Sequence, residues 1–357
     1  MIIVESVCAP SYEQVSCFEY IKPIIGGRTP ESLCVSFQQG LSQRTLRPQA
    51  YCNAGSRAGD PATTEIFKTV FACIYPLIKS CYLYFPQTST DMMNPVLQRN
   101  NVQILGKGTQ VMLFAHGFGC DQQSWQFIVD SFTDDYKVIL FDYVGAGKSD
   151  LGQYDKARYN TLDGYAQDVL DICEALDLHQ VFFVGHSVSS MIGLLAAIKA
   201  PQYFKKLIFI GPSPRYLNEA GYVGGFEADD LASLFEFMDS NYLGWSSQLA
   251  PAIMGNADHP EHGAFLTNSF CMTDPEIARQ FARVTFYSDN REDLGKLTVD
   301  SLTLQCSDDI IAPMAVGDYM QANVPGNALT VLNATGHCPH ISAPAETVKA
   351  IKEYLAN

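Results

Sequence analysis

The feature that most constrains the fold of this chain is residues 181–198, where an apolar run passes through a turn of small residues into a helical pattern. The run Val-Phe-Phe-Val at 181–184 is β-branched and aromatic, as in a buried strand. Gly185 and Ser189 each lie two residues from Ser187, and apolar residues then recur at helical spacing to Ile198. The stretch therefore predicts a strand, a sharp turn centred on Ser187, and a helix.

A strand, a tight turn with a central serine and a helix form the nucleophile elbow of α/β-hydrolases, whose usual pattern is Gly-x-Ser-x-Gly. The last position here is Ser189, which is small enough for the motif to be interpreted as a variant. The turn would expose Ser187 at the end of the strand, with the N-terminus of the helix facing its oxygen. The alternative is a serine in an ordinary strand-to-helix turn, and only its partners elsewhere in the chain can decide between the two.

The rest of the chain from residue 93 alternates between strand and helix patterns. Strands are predicted at 101–105, 111–115, 137–141, 207–210, 302–305 and 329–332, and helices at 121–132, 162–176 and 347–355. This alternation predicts an α/β fold of the α/β-hydrolase type, with a mostly parallel sheet covered by helices on both faces.

About ninety residues between the strands at 207 and 302 interrupt the alternation and carry helical patterns. We interpret them as a helical lid at about 214–298, inserted over the carboxyl edge of the sheet. Aromatic residues at helical spacing usually pack against one another, but a lid also faces the nucleophile. We therefore expect Trp245 and Phe286 to line an apolar ligand pocket.

A serine nucleophile needs a base, and the base needs an orienting carboxylate, which follow the serine in the order Asp, His in this fold. The strand at 302–305 is followed by Asp308 and Asp309, of which only one can orient the base. The last strand is followed by His337, which we prefer as the base over His340. We expect His340 to be a hydrogen-bonded structural histidine.

The negative charge that develops during acyl transfer needs backbone N–H donors. We expect these donors to be the amides of Val188, directly after the nucleophile, and of Phe118, in the loop His116-Gly-Phe-Gly119. No metal is expected, because no cluster of cysteines and histidines has ligand spacing. No cofactor is expected either, since Gly145-Ala-Gly147 lacks the third glycine of a dinucleotide-binding loop and follows the wrong strand.

Charge and cysteine content narrow the function further. The chain of 357 residues has a formal net charge of −15, and residues 1–92 hold seven basic and seven acidic residues, so the excess lies in 93–357. An acidic domain argues against nucleic acid as a partner. Eleven cysteines without regular spacing, and the absence of a secretory pattern or a membrane span, predict a cytoplasmic protein with reduced thiols.

Residues 1–92 contain six of the eleven cysteines and no sustained hydrophobic period. We expect a poorly ordered N-terminal extension, which could also be an over-long gene model, followed by the hydrolase domain at 93–357.

Several motifs of residues 93–355 resemble the RsbQ family, which includes the bacterial sigma-B energy-stress regulator and the plant karrikin and strigolactone receptors. They are His116-Gly-Phe-Gly-Cys-Asp-Gln, Phe141-Asp-Tyr-Val-Gly-Ala-Gly-Lys-Ser-Asp150, Tyr165-Ala-Gln-Asp-Val-Leu-Asp171, Gly185-His-Ser-Val-Ser, Gly211-Pro-Ser-Pro-Arg-Tyr-Leu-Asn218 and Gly336-His-Cys-Pro-His340. The resemblance implies a hydrolase core with a four-helix lid over a hydrophobic pocket. It also selects Asp309, four residues before Pro313, as the catalytic aspartate.

The resemblance further implies a slow ester-bond hydrolase that senses a small hydrophobic ester or lactone and acts in stress signalling. Bacterial members of the family work with a PAS-domain serine phosphatase, so the partner expected here is such a phosphatase or another signalling protein. Two alternatives remain open at this point, a metabolic carboxylesterase or lactonase and a cofactor-free haloperoxidase-like enzyme.

Overall fold

The computed structural model describes residues 94–356. The prediction of a poorly ordered extension at residues 1–92 lies outside the described residues.

Residues 94–356 form one seven-stranded sheet. Its strands are β1 (Gln103–Leu105), β2 (Gln110–Ala115), β3 (Tyr136–Leu140), β4 (Val181–His186), β5 (Phe204–Ile210), β6 (Ser301–Asp308) and β7 (Asn327–Thr335). They lie in the order β1-β3-β2-β4-β5-β6-β7, and only β1 is antiparallel to its neighbour. The α/β-hydrolase fold with a mostly parallel sheet is therefore confirmed.

The helices of residues 94–356 connect the strands and cover the sheet. They are α1 (Pro95–Arg99), α2 (Leu162–Ala175), α3 (Val188–Lys199), α4 (Ala228–Ser240), α5 (Tyr242–Met254), α6 (Pro260–Met272), α7 (Pro275–Phe286), α8 (Met314–Asn323), α9 (Pro339–Ser342) and α10 (Pro344–Leu355). The helix expected at 121–132 is instead two 3-10 turns, Gln122–Phe127 and Val129–Ser131, because the backbone at Ile128 leaves the helical region.

The central strands are apolar on both faces, and each face has its own core. Leu113, Phe183 and Phe209 point to the side covered by α2 and α3. Phe114 and Ile208, one residue out of phase, point to the side covered by α10 and the 3-10 turns. Side chains alternate across a strand, so a parallel strand buried on both faces carries continuous apolar sequence, as seen at 181–184.

The insertion, defined here as residues 211–300 between β5 and β6, contains the four helices α4 to α7. Most of its buried aromatic and aliphatic side chains form a third apolar cluster, whereas Phe281 of α7 packs in the sheet core on the side of α2 and α3. Cys120, Ile311, Cys338 and Ile341, which lie in loops and a short helix of the core, belong to the same cluster. The insertion therefore packs on the loops that follow β2, β6 and β7.

Candidate active site

Ser187 lies at the turn between β4 and α3 with φ 56° and ψ −124°. A non-glycine residue with positive φ is strained, and such strain is characteristic of a nucleophile elbow. The sharpness of the turn also requires Gly185, because a Cβ there would lie 2.6 Å from the Ser189 carbonyl oxygen. The Ser187 amide donates to the Ile210 carbonyl at 2.8 Å, which anchors the turn to the neighbouring strand.

The structure brings Ser187, His337 and Asp309 together in one hydrogen-bonded chain. The Ser187 hydroxyl lies 2.7 Å from His337 Nε2, and His337 Nδ1 lies 2.7 Å from Asp309 Oδ2. Asp309 is held in turn by the amides of Ile311 and Ala312, which donate to its Oδ1 at 2.8 and 3.1 Å. All four contacts have hydrogen-bond length, and the three side chains are buried.

Of the two adjacent aspartates, only Asp309 contacts the histidine. Asp309 is buried, whereas Asp308 is exposed at the end of β6. The Asp308 carbonyl accepts from the Gly336 amide at 2.7 Å, so Asp308 joins the end of β6 to the loop of His337 through its backbone.

The two residues expected to supply oxyanion donors both lie against Ser187. Val188 is the first residue of α3, where amides have no partner within the helix. Phe118 follows Gly117, at which a Cβ would come within 3.3 Å of the Ser187 Cβ and 2.5 Å of His186 Nδ1. The loop at 116–119 therefore packs closely on the nucleophile.

A small, partly open cavity lies beside Ser187 and His337. The space for the centres of water molecules is about 30 Å³, and one water needs about 10–15 Å³ of such space. Phe286 lies on its wall, as expected. The cavity is lined by Phe118, Cys120, His186, Ser187, Tyr216, Ile253, Leu266, Phe270, Thr285, Phe286, Ile311, His337 and Cys338.

Trp245, expected on the same wall, does not line this cavity. It stacks behind Phe270, with ring centroids 5.4 Å apart and an interplanar angle of 13°, and is fully buried. The reason lies in helix geometry: α5 presents Ile253 to the cavity, and Trp245 is two helical turns away, where it meets α6.

Three cavity residues were not expected from the sequence. The Tyr216 hydroxyl lies 3.4 Å from Ser187 Oγ, and burial raises the pKa of this phenol. Cys120 and Cys338 also line the cavity, and burial raises the pKa of both thiols, so they remain protonated and little reactive. Only their position in the sequence could have indicated these residues, since each follows β2, β5 or β7 at the carboxyl edge of the sheet.

The buried histidines behind the site differ from expectation. Neither ring nitrogen of His340 has a hydrogen-bond partner among residues 94–356, so it is not the hydrogen-bonded histidine predicted. It packs instead between Trp125 and His186, with ring centroids 4.6 and 4.5 Å away. Burial, with a smaller effect of His337, lowers the pKa of His340 to about 3.

His186 joins the elbow to the loop of His337. Its Nε2 lies 2.9 Å from the His337 carbonyl oxygen and must therefore be the donor. Burial, together with the neighbouring histidines, holds the pKa of His186 well below its ordinary value. The residue before Ser187 is thus a neutral imidazole that fixes the backbone of His337.

Two further observations concern only the part of the chain that the structure describes. Within it, no group of three or more histidine, cysteine, aspartate or glutamate side chains could hold a metal ion. No helix in the same residues is long and apolar enough to cross a membrane.

The sheet, the elbow and the hydrogen-bonded side chains define an α/β-fold hydrolase. Comparison with known proteins agrees, since the model of the alpha/beta hydrolase family matches residues 112–350. The chain belongs to the alpha/beta hydrolase family.

Its relatives include plant receptors and esterases. The chain is 40% identical over 265 residues to the Karrikin insensitive 2 receptor CA of Petunia hybrida, covering 74% of this chain and 98% of that protein. It is 38% identical over 261 residues to the Strigolactone esterase D14 of Arabidopsis thaliana, covering 73% and 97%. Among solved structures, a hydrolase from Oleispira antarctica is 42% identical with a TM-score of 0.72, covering 74% of this chain and 97% of the other.

Proposed function

We propose that this chain is a serine hydrolase of the RsbQ type, which hydrolyses and senses a small hydrophobic ester or lactone. The single observation that supports this best is the hydrogen-bonded chain from Ser187 through His337 to Asp309 beside an apolar cavity. In this proposal the hydrolase domain spans 93–357, and the lid spans 214–298.

Ser187 is the nucleophile and His337 the general base. As Ser187 Oγ attacks the carbonyl carbon, its proton moves to His337 Nε2, and Asp309 stabilises the resulting imidazolium. The tetrahedral intermediate collapses, and the alcohol leaves with the proton from His337. A water molecule, deprotonated by the same imidazole, then attacks the acyl-serine and releases the acid, which restores Ser187.

The oxyanion of each tetrahedral intermediate accepts hydrogen bonds from the amides of Val188 and Phe118. Support comes from the position of Val188 at the start of α3 and from the close packing of the Phe118 loop on Ser187. The N-terminus of α3 adds a favourable field for negative charge.

The signalling part of the proposal rests on the relatives and on the size of the cavity. One relative is named a Karrikin insensitive 2 receptor and another a Strigolactone esterase, so both a receptor and an esterase stand among the similar proteins. The cavity has room for only about two or three water molecules, so we expect the insertion or its side chains to shift when a larger ester enters. Ligand that binds one arrangement of the insertion better shifts its population, and a partner protein can respond.

The proposed partner is a PAS-domain serine phosphatase or another signalling protein, and the proposed compartment is the cytoplasm. All five cysteines among the described residues are free thiols, which supports a reducing compartment. In this proposal the chain is a positive regulator of a sigma-factor stress response, and turnover of ligand is slow.

The catalytic part is tested by labelling and hydrolysis. The wild type, Ser187→Ala and a control, Ser246→Ala, are incubated with a fluorophosphonate probe and assayed with p-nitrophenyl acetate. Ser246 is a fully buried helical serine in α5 whose hydroxyl donates to the Tyr242 carbonyl at 2.8 Å, away from Ser187. We expect Ser187→Ala to lose labelling and on the order of 10⁴-fold or more in rate, while Ser246→Ala keeps both. Undiminished labelling of Ser187→Ala would refute the assignment.

The signalling part is tested in the source cell with a stress-response reporter. Cells that carry wild type or Ser246→Ala should respond to energy stress, and cells that carry Ser187→Ala should not. A normal response in the Ser187→Ala cells, with turnover of roughly 10 per second or more by the purified protein, would favour a metabolic esterase instead.

A further inference from the structure

Ser189 stands where the usual elbow motif has glycine, and its hydroxyl bridges two elements. Its Oγ lies 2.5 Å from the His116 carbonyl oxygen and 3.0 Å from the Tyr143 hydroxyl. Since a carbonyl only accepts, the Ser189 proton goes to His116, and Tyr143 donates to Ser189. The three residues are completely buried. A glycine at position 189 could make neither contact.

Tyr143 also fixes the hydrogen-bonding roles of the two His116 ring nitrogens. Its backbone amide donates to His116 Nε2 at 3.2 Å, so Nε2 is the acceptor and Nδ1 carries the N–H. His116 Nδ1 lies 2.9 Å from the Gly117 carbonyl oxygen and donates to it. The carbonyls of residues 116 and 117 are thus both held, the first by Ser189 and the second by the His116 ring and by the Cys120 amide, which donates to it at 3.2 Å.

These two carbonyls control where the next amide points. In a trans peptide the N–H is directed opposite to the C=O of the same unit. The peptide between Gly117 and Phe118 has its carbonyl bound to His116, so the Phe118 amide faces away from that ring. The preceding peptide cannot rotate without breaking the bond to Ser189. The orientation of the Phe118 N–H is therefore coupled to the hydroxyls of Ser189 and Tyr143.

We propose that Ser189, supported by Tyr143, is a positioning residue that preorganises the oxyanion loop at 116–119. This inference rests on the proposed function, because it assigns a role within the same reaction. Fixed donors stabilise a developing oxyanion better than donors that must reorganise during the reaction. Ser189, which this chain has where the usual motif has glycine, then supplies a hydrogen bond between α3 and the oxyanion loop.

The test compares the wild type with Ser189→Ala, Ser189→Gly and Tyr143→Phe, and uses Ser246→Ala as the matched loss of a buried hydroxyl. Steady-state hydrolysis of p-nitrophenyl acetate gives kcat and KM, and hydrogen–deuterium exchange reports on residues 116–120. An oxyanion donor acts mainly in the transition state, so kcat should fall while KM stays within about two-fold.

We expect Ser189→Ala and Ser189→Gly to lower kcat about 10-fold, less than the 10²–10³-fold that loss of a whole donor costs. Tyr143→Phe should have a smaller effect in the same direction. Exchange at 116–120 should rise in all three variants and stay at the wild-type level in Ser246→Ala.

Two results would overturn the inference: wild-type exchange at 116–120 in Ser189→Ala, or an equal fall in kcat in Ser189→Ala and Ser246→Ala. The exchange measurement does not depend on turnover. If the wild type lacked Ser187-dependent hydrolysis, the proposed function would fail, and the exchange data would still decide whether Ser189 holds the loop.

Discussion

The backbone amide of His337 donates a hydrogen bond to the Ile253 carbonyl at 2.9 Å. Ile253 belongs to α5 of the insertion and also lines the cavity beside Ser187. A second bond, from the Asn256 side-chain amide to the Thr335 carbonyl at 2.9 Å, joins the same two segments. The loop that carries the proposed base is therefore attached directly to the insertion, and displacement of α5 would displace His337.

The first prediction concerns the contact surface between these segments. Gly336 has φ +88°, and a Cβ there would lie 1.9 Å from the Met254 carbonyl oxygen. Gly336→Ala should lower both the melting temperature and kcat, because the left-handed backbone strains alanine and the added carbon pushes α5 away from the loop. The control is Gly295→Ala, where nothing lies within 4 Å of the added carbon. Thermal unfolding and ester hydrolysis check both effects, and equal behaviour of the two variants would contradict the prediction.

The second prediction separates the adjacent aspartates. Asp309→Asn should lower kcat by about 10⁴, because an amide can neither hold the Nδ1–H tautomer of His337 nor stabilise the imidazolium. The single oxygen of the amide would accept from the amides of Ile311 and Ala312, which turns its NH2 group toward His337 Nδ1. Asp308→Asn should leave kcat near the wild-type value, since the Asp308 side chain is exposed. Hydrolysis rates of the two purified variants test this prediction. Comparable losses of kcat in both variants would contradict it.

The third prediction concerns the cavity wall. Phe286→Ala enlarges the cavity beside Ser187 and should raise kcat/KM for p-nitrophenyl hexanoate relative to the acetate. Trp245→Phe should leave this ratio unchanged, because Trp245 lies behind Phe270. Phe132→Ala is the stability control, since Phe132 is buried in a sheet core away from the cavity. Phe286→Ala and Phe132→Ala should each lose about 3–5 kcal/mol of stability. A changed hexanoate-to-acetate ratio of kcat/KM in Phe132→Ala would contradict the role of Phe286 as a cavity wall residue.

Local sequence patterns were sufficient to predict most of the sheet, because buried parallel strands carry continuous apolar runs between turn residues. The pattern at 121–132 was misleading, since Trp125 and Phe132 recur at a spacing that suits either an α-helix or two 3-10 turns packed on the sheet.

Side-chain environment was harder to predict than backbone. The order of loops along the sheet was enough to indicate which segments would meet at Ser187. The orientation of Trp245 and the unpaired ring of His340 depend on how the insertion and the 3-10 turns pack, which no local pattern encodes. The contact of Tyr216 with Ser187 depends in the same way on the path of the chain after β5.

The last prediction concerns pH and stability. Burial lowers the pKa of His340 to about 3 and that of His186 well below its ordinary value, whereas an unfolded histidine has a pKa of about 6.5. The unfolded chain therefore binds these protons first as pH falls. Their contribution to stability is complete above pH 6.5 and declines as pH drops toward about 3.

Each buried histidine should cost at most about 1.4 kcal/mol per pH unit in this window, or about 2 kcal/mol between pH 6.5 and pH 5. His340→Phe keeps an aromatic ring against Trp125 but removes one of the two buried histidines that take up a proton on unfolding. Its loss of stability between pH 7 and pH 5 should therefore be about 2 kcal/mol smaller than that of the wild type. His179→Phe, at an exposed position, is the control and should follow the wild type. Urea unfolding at both pH values measures these differences, and equal losses in His340→Phe and wild type would mean that His340 becomes protonated without unfolding.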